Sequence, residues 1–381
     1  KPQINLTLEK AVSTAVELPN FLDSYQTAQL YNEGYKNDNP NSTQPYYSAT
    51  ALEAFRTGSD PLRYANVDYI KELLKPGLET RANFNITGGG AQARYFVNVG
   101  YLDQGGIYNA EKNKDYNPNA TYKRYNFRSN VDIDFDENFS IGLKLSGSIQ
   151  NISRPNGSVA NIFITALTVS PTTPIKYPTG YYSYDGQQAN PFWFLNESGY
   201  VEEYNSALSG MLTATHKLNF ITQGLSVKGN YSFDGLYNNS LVRSKEVPYA
   251  TYKGSGDFND PANYTYLKTN IPLSAPTGAF SQNRNIWMDA SLNYQRKFGN
   301  HDVSGLLLAN RTQIVNAVVS ASATNAIPLV SQGLVMRAVY NYKYKYFAEF
   351  NAGYNGTDNF SPNKRYGFFP AVSAAWLLSE E

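Results

Sequence analysis

The stretch that most constrains the fold of this chain runs from Tyr125 to Gln150. Tyr125, Phe127, Val131, Ile133 and Phe135 share one parity, broken once by Ser129, and Asn126, Arg128, Asn130, Asp132 and Asp134 share the other. Asp136-Glu137-Asn138 interrupts the pattern. It then resumes with Phe139, Ile141, Leu143, Leu145 and Ile149 set against Ser140, Gly142, Lys144, Ser146, Ser148 and Gln150. Successive side chains of a strand point to opposite faces. The stretch therefore predicts a hairpin with one apolar and one strongly polar face. Each arm has about ten residues, the length that crosses a bilayer when tilted.

Composition agrees with a membrane-crossing sheet and excludes several alternatives. The chain has 381 residues, of which 41% are hydrophobic and 17% charged, and no apolar run approaches the length of a membrane-spanning helix. A helical membrane protein is excluded on that ground. A transmembrane barrel is not, because its strands are only half apolar. The 32 tyrosines, with abundant Asn, Ser and Gly, suit strands joined by polar loops. With no cysteine there is neither a disulfide framework nor a thiolate site. A formal net charge of +1 offers no basic stripe for nucleic acid. The chain begins at Lys1 and reads as a mature or trimmed product, from which nothing about export follows.

Residues 1–16 alternate Ile4, Leu6 and Leu8 against Asn5, Thr7 and Glu9 and predict a first strand. Residues 17–82 predict a partly helical excursion. Leu22, Tyr25, Ala28, Leu30 and Tyr31 have helical spacing, with Asp23 or Ser24 as N-cap and Gly34 as stop, and further helices are expected at Thr50–Thr57 and Val67–Leu74. From 83 to 381 the pattern is one of hairpins, with long loops at 103–123, 151–205, 238–283, 320–332 and 357–364. The connections near 90, 137, 223, 300 and 345 are short. In an antiparallel meander successive connections lie on opposite ends, so all the long loops fall on one end and all the short turns on the other. That sorting is expected of an outer-membrane barrel with extracellular loops and periplasmic turns. A soluble sandwich or propeller has no reason for it. The fold class is thus all-β, an antiparallel transmembrane barrel of twelve strands in this chain. Phe127, Val131, Ile133, Ile141, Leu143 and Leu145 are expected to face lipid, and Arg128, Asp132, Asp134 and Lys144 the lumen.

Little in the sequence points to catalysis. The two histidines, His216 and His301, fall in a strand and a turn without clustered ligands, so no metal site is assigned. Gly88-Gly89-Gly90 lacks the Lys-Ser/Thr of a phosphate loop and reads as a tight turn. Asp257 and Asp260 offer spaced oxygens without an EF-hand pattern. The loops rich in aromatics are the better candidates. Tyr181, Tyr182, Tyr184 and Trp193 in one long loop, with Tyr249 and Tyr252 in another, could stack on sugar faces beside amide side chains, or pack a small core of their own.

The residues also carry a family resemblance. Gly353–Trp376, reading Gly-Tyr-Asn-Gly-Thr-Asp-Asn-Phe-Ser-Pro-Asn-Lys-Arg-Tyr-Gly-Phe-Phe-Pro-Ala-Val-Ser-Ala-Ala-Trp, closely resembles a signature segment of SusC/RagA-like TonB-dependent outer-membrane transporters. Tyr95–Ile107 resembles one of their strands, and Phe21–Glu33 with Arg56–Pro61 resembles the excursion after their first barrel strand. The resemblance implies a barrel of about 22 strands, of which this chain would supply about twelve, the front half, without the plug and the later strands. It also implies import of oligosaccharides or peptides, with no catalysis and no cofactor. The implied partners are a SusD-like surface lipoprotein as lid, the TonB complex acting through a plug, and outer-membrane lipid. The alternatives are a passive porin or adhesin-like barrel, and a soluble carbohydrate-binding β-protein.

Overall fold

The computed structural model describes residues 1–112, 115–187, 189–318 and 327–380. Twelve strands form one antiparallel sheet in chain order, each bonded to the next: β1 (Gln3–Ser13), β2 (Gly77–Gly89), β3 (Ala93–Gly105), β4 (Thr121–Asp134), β5 (Phe139–Pro155), β6 (Gly199–Lys217), β7 (Leu225–Ser244), β10 (Thr277–Phe298), β11 (His301–Val318), β12 (Leu329–Tyr342), β13 (Tyr346–Thr357) and β14 (Tyr366–Trp376). A small separate hairpin, β8 (Tyr249–Tyr252) with β9 (Tyr264–Leu267), lies in the connection between β7 and β10. Among the described residues β1 pairs only with β2 and β14 only with β13, so the curved sheet is an unclosed part of a barrel.

The hairpin of residues 125–150 is β4–β5. Its register sets Tyr125 opposite Ile149, Val131 opposite Leu143 and Ile133 opposite Ile141, apolar against apolar. On the other face Arg128 meets Ser146, Asn130 meets Lys144 and Asp132 meets Gly142. A one-residue slip would exchange the two sets, so the alternation itself fixes the register. The apolar face continues across the sheet, with Leu143 opposite Leu212 and Leu212 opposite Tyr231. Large side chains there lie over glycines. A Cβ on Gly147 would stand 2.5 Å from the Phe127 ring, and one on Gly210 would stand 3.1 Å from Leu145.

Aromatic rows border this apolar face at both ends. At the short-turn end Phe298, His301, Tyr342, Tyr346 and Trp376 are successive cross-strand partners from β10 to β14. Tyr346 and Trp376 stack with centroids 6.2 Å apart. Phe139 and His216 continue the row on β5 and β6 at 5.6 Å. At the long-loop end Tyr101 and Tyr125 lie 5.1 Å apart, Tyr204 and Tyr237 6.2 Å, and Tyr354 and Tyr366 5.2 Å. From Tyr125 to Phe135 is ten residues. That is about 34 Å of strand and, at a tilt near 40°, roughly 25 Å of height, which equals the apolar band of outer-membrane barrels.

Several element bounds differ from the sequence expectation. β2 starts at Gly77 rather than 83, because Gly77–Thr80 complete the ladder with Lys10–Ser13 at the end of β1. β5, β6, β7 and β10 run further into the expected loops, reaching 17, 19, 20 and 22 residues. Their ends carry Arg154, Glu202, Glu203 and Arg243, a polar composition that suits strand outside a membrane. The connections are accordingly 14–76, 106–120, 156–198, 245–276 and 358–365. Of the expected loop 320–332, residues 320–326 lie outside the described residues.

In the excursion α1 (Ser24–Asp38) is capped by Asp23, whose carboxylate accepts from Gln26 N at 2.8 Å in a capping box. Gly34 does not stop it. The helix runs on to Asn39, whose side-chain amide donates to Tyr35 O at 3.0 Å. The helices α2 (Ala49–Thr57) and α3 (Tyr69–Leu73) follow, capped by Ser48 and Asp68. Two helices arise inside the expected long loop 151–205, α4 (Val159–Thr168) and α5 (Pro191–Asn196). Their signals were present. Ser158 precedes an apolar run, and Asn190 precedes a proline at the first helical position.

Candidate functional site

The long connections do not behave as separate loops. The excursion, the β3–β4 loop, the β5–β6 loop and the β7–β10 loop build one folded cap at the long-loop end of the sheet. Its core joins Tyr69, Ile70 and Leu73 of α3 to Tyr108, to Ile162 and Ala166 of α4, to Phe192, Trp193 and Leu195 of α5, and to Tyr249 of β8. Together these segments exclude water from about a dozen side chains, which is the dominant favourable contribution.

Buried amides tie the segments. Asn190, fully buried, donates to Tyr69 Oη (3.2 Å), Ile175 O (3.0 Å) and Ser183 Oγ (3.1 Å), and its Oδ1 accepts from Phe192 N (2.9 Å). Tyr69 Oη in turn donates to Thr173 O at 3.0 Å. Asn196 accepts from Glu111 N (2.9 Å) and donates to Tyr182 Oη (3.1 Å), while Tyr116 Oη donates to Asn196 O (2.6 Å). Tyr182 Oη donates to Glu111 Oε1 at 3.0 Å, and Lys176 Nζ holds Glu111 Oε2 at 2.7 Å. Ser24 Oγ links the excursion to the β5–β6 loop through Pro171 O at 3.0 Å. Trp193 Nε1 donates to Val247 O at 2.9 Å, and the Tyr182 and Tyr184 backbones bond Ala250. Burial pushes the phenols of Tyr69 and Tyr116 well above their ordinary value. Burial, then the Glu111 carboxylate, does the same for Tyr182.

This cap corrects the sequence reading of the aromatic loops. Of the six tyrosines and tryptophans expected to meet substrate, Tyr182 (3% exposed), Trp193 and Tyr249 lie in the core, and Tyr184 packs against it with its ring 5.4 Å from Tyr249. Their faces are covered by other cap residues and are not open to a ligand. Tyr252 is half-buried in a second small cluster with Tyr177, Phe258 and Tyr264. Only Tyr181, 37% exposed, has an open face, and it meets Tyr266 edge-on at 4.9 Å.

Other surface features were missed. A chain of rings, Tyr35, Tyr46, Tyr31 and Tyr47, runs along the excursion at 4.7–5.8 Å spacings and leaves Tyr31 and Tyr46 more than half exposed. The tyrosine pair Tyr46-Tyr47 beside α1 was the available signal. Between α1, α3 and α4 lies a cleft of about 660 Å³ lined by Leu22, Tyr31, Asn66, Asp68, Lys71 and Leu167 among others. Asp257 and Asp260 are used as local caps, accepting from Asn259 N and Ala262 N at 2.9 Å, which explains their spacing without a cation. His301 Nδ1 lies 2.6 Å from Tyr340 Oη and His216 packs on Phe139, so both histidines belong to the aromatic row.

The polar face of the sheet is cross-linked. Arg94 holds Asp134 at 2.7 Å, and Arg337 grips Glu349 through two bonds of 2.8 and 3.0 Å. Thr213, Asn230 and Asp289 form a chain across β6, β7 and β10, closed by Trp287 Nε1 on Asp289. Asp132 lies beside Gly142, where a Cβ would stand 2.9 Å from its Oδ1. Arg128, Asp132, Asp134 and Lys144 all share this face, opposite to Phe127, Val131, Ile133, Ile141, Leu143 and Leu145.

No family model matches the chain. Among curated proteins it is 22% identical over its whole length to TonB-dependent receptor P26 of Formosa agariphila, and 24% identical over 83% of its length to TonB-dependent receptor P3 of the same organism. It spans about a third of the length of these relatives, 37% and 32%. Among solved structures, that of the RagAB peptide importer in its closed-closed state superposes on 99% of the chain with a TM-score of 0.59 at 14% identity, over 44% of its own chain. That of the RagAB peptide transporter gives the same TM-score at 16% identity, over 45% of its own chain. The resemblance to SusC/RagA-like TonB-dependent outer-membrane transporters is thereby borne out, and with it the outer-membrane β-barrel fold.

Proposed function

We propose that the chain serves TonB-dependent import of oligosaccharides or peptides across the outer membrane, as barrel wall and extracellular cap, beneath a SusD-like surface lipoprotein. The observation that carries this reading is the sorting of structure between the two ends of the sheet. One end has turns of a few residues. The other gathers four long connections into a single cap with its own core. A passive pore needs no such cap, whereas a substrate that must be captured before transport needs a surface fixed in shape.

In this reading the apolar face meets lipid and the polar face lines the lumen. Two ion pairs and one amide chain cross-link the polar face, while Arg128 and Lys144 have no ion pair among the described residues and remain available to a passing substrate or plug. The open faces of Tyr181 and Tyr266, and the cleft beside Tyr31, are the surfaces we assign to substrate. Ring faces there can stack on sugar or peptide groups. The chemistry is binding alone, with the energy for release supplied through TonB.

Uptake of labelled oligosaccharide and peptide mixtures into cells with and without functional TonB tests the proposal. Uptake that disappears without TonB supports it, and the labelled class taken up names the substrate. Uptake that persists without TonB would favour the passive pore.

A further inference from the structure

Besides Arg296, next to Phe298 in the short-turn row, the apolar face of β10–β12 carries two arginines at its long-loop margin. On β11 Arg311 lies opposite Gln332 of β12 and Met288 of β10, and on β10 Arg284 lies opposite Val315. Both arginines are exposed and share the face of Leu307, Leu334 and Met336. Among the described residues that face of β7, β10, β11 and β12 carries no carboxylate, and neither arginine has an ion pair.

The height of these residues follows from the register. Arg311 is ten residues along β11 from His301, and Gln332 is ten along β12 from Tyr342, both in the aromatic row at the short-turn end. Ten residues of tilted strand rise roughly 25 Å, the full apolar band. Arg311 and Gln332 therefore stand at the outer interface, with Leu334 and Met336 just below them. Arg284 is fourteen residues from Phe298, about 10 Å further out, and about 14 Å of paired strand separates the two arginines. Cations facing a membrane without a counter-charge are costly unless the membrane supplies one. At this height the available anion is a phosphate, which matches the planar fork of a guanidinium.

We propose that Arg284 and Arg311, flanked by Gln313 and Gln332, seat the phosphate-bearing headgroup of an outer-leaflet lipid on the barrel wall, with its acyl chains along Leu307, Leu334 and Met336. The seat rests on the reading that the apolar face meets lipid. It makes a bound lipid part of the outer surface beside the cap.

The test uses the intact polypeptide isolated from outer membranes and placed in phosphatidylcholine nanodiscs doped with phosphatidic acid, with retained lipid counted by native mass spectrometry. A Leu334→Cys variant is first labelled with lipid-soluble and water-soluble maleimides. Labelling only by the lipid-soluble reagent establishes the face; labelling by the water-soluble one removes the face assignment and the seat together. With the face established, the double variant Arg284→Gln/Arg311→Gln should retain at least fivefold less phosphatidic acid. Arg284→Lys/Arg311→Lys should retain an intermediate amount, and Lys297→Gln, at the other end of β10, should retain as much as the parent. Equal retention by the double variant overturns the seat, as does loss of the lipid on adding millimolar inorganic phosphate, which would show a free-anion site.

Discussion

Phe127 of β4 lies directly over Gly147 of β5, so close that a Cβ at Gly147 would stand 2.5 Å from the ring and 3.1 Å from Ala207 O. The two are register partners on the apolar face. The ring covers the gap a glycine leaves in a strand, and in return no side chain can grow there. Gly147→Ala should therefore destabilise the sheet by about 1–3 kcal/mol, the range for overpacking a fitted contact. Phe127→Leu in the same background should recover part of the loss. Urea unfolding in lipid vesicles, followed by the heat-dependent shift in gel mobility, measures both.

The two faces of β4–β5 should tolerate charge very differently. Leu143→Arg, near the middle of the apolar band, should cost about 2–4 kcal/mol, whereas charge on a lumen face has little such penalty. Ser146→Glu lies opposite Arg128 and should stay within about 0.5 kcal/mol of the parent. The same unfolding assay separates the two, and equal costs would count against the assignment of faces.

The cap should fail as a unit. Asn190 alone bonds Tyr69, Ile175 and Ser183, joining the excursion to the β5–β6 loop. Asn190→Leu takes the cap acceptor from Phe192 N and one donor from each of Tyr69 Oη, Ile175 O and Ser183 Oγ, at a cost of about 1–3 kcal/mol for a buried group left unsatisfied. Protease added to outer-membrane vesicles should then cleave in 156–198 and 245–276 together, while the barrel keeps its heat-dependent mobility. Cleavage confined to one loop would show that the segments are independent.

The cap should also open at high pH. Burial raises the Tyr69, Tyr116 and Tyr182 phenols above their ordinary value of about 10. A group whose pKa is raised on folding contributes stability that is complete below its unfolded pKa and is lost as pH rises towards the folded one. The cap is therefore stable to pH near 10 and weakens above it. Phenolate absorbance should show a late class of tyrosines that ionises as the cap becomes protease-sensitive, and Tyr182→Phe should reduce that class by one.

Much of the sheet was legible because its information is local. The period of two in Tyr125–Gln150 fixes which side chains share a face, and connection lengths fix which end each loop occupies. Asp23 marked the start of α1 for the same reason. Gly34 misled because a helix interior absorbs a glycine at about 1 kcal/mol when its neighbours carry good propensity and a cap lies further on. The cap core was illegible because Tyr182 and Trp193 come from one loop and Tyr249 from another, with β6 and β7 between them. Nothing in the neighbourhood of either loop shows that each covers the other's rings. An aromatic loop that binds and one that packs have the same composition.

The account's central claim is that one face of β4–β5 meets lipid and the other meets water. Residues 1–381 contain no cysteine, so single cysteines placed in turn from Tyr125 to Gln150, with any cysteine elsewhere in the polypeptide replaced by serine, report without background. In intact outer membranes the account predicts alternation. Positions 127, 131, 133, 141, 143 and 145 should react only with a lipid-soluble maleimide, and positions 128, 132, 134 and 144 with a water-soluble one. Labelling by the water-soluble reagent at both parities, or at neither, would contradict it.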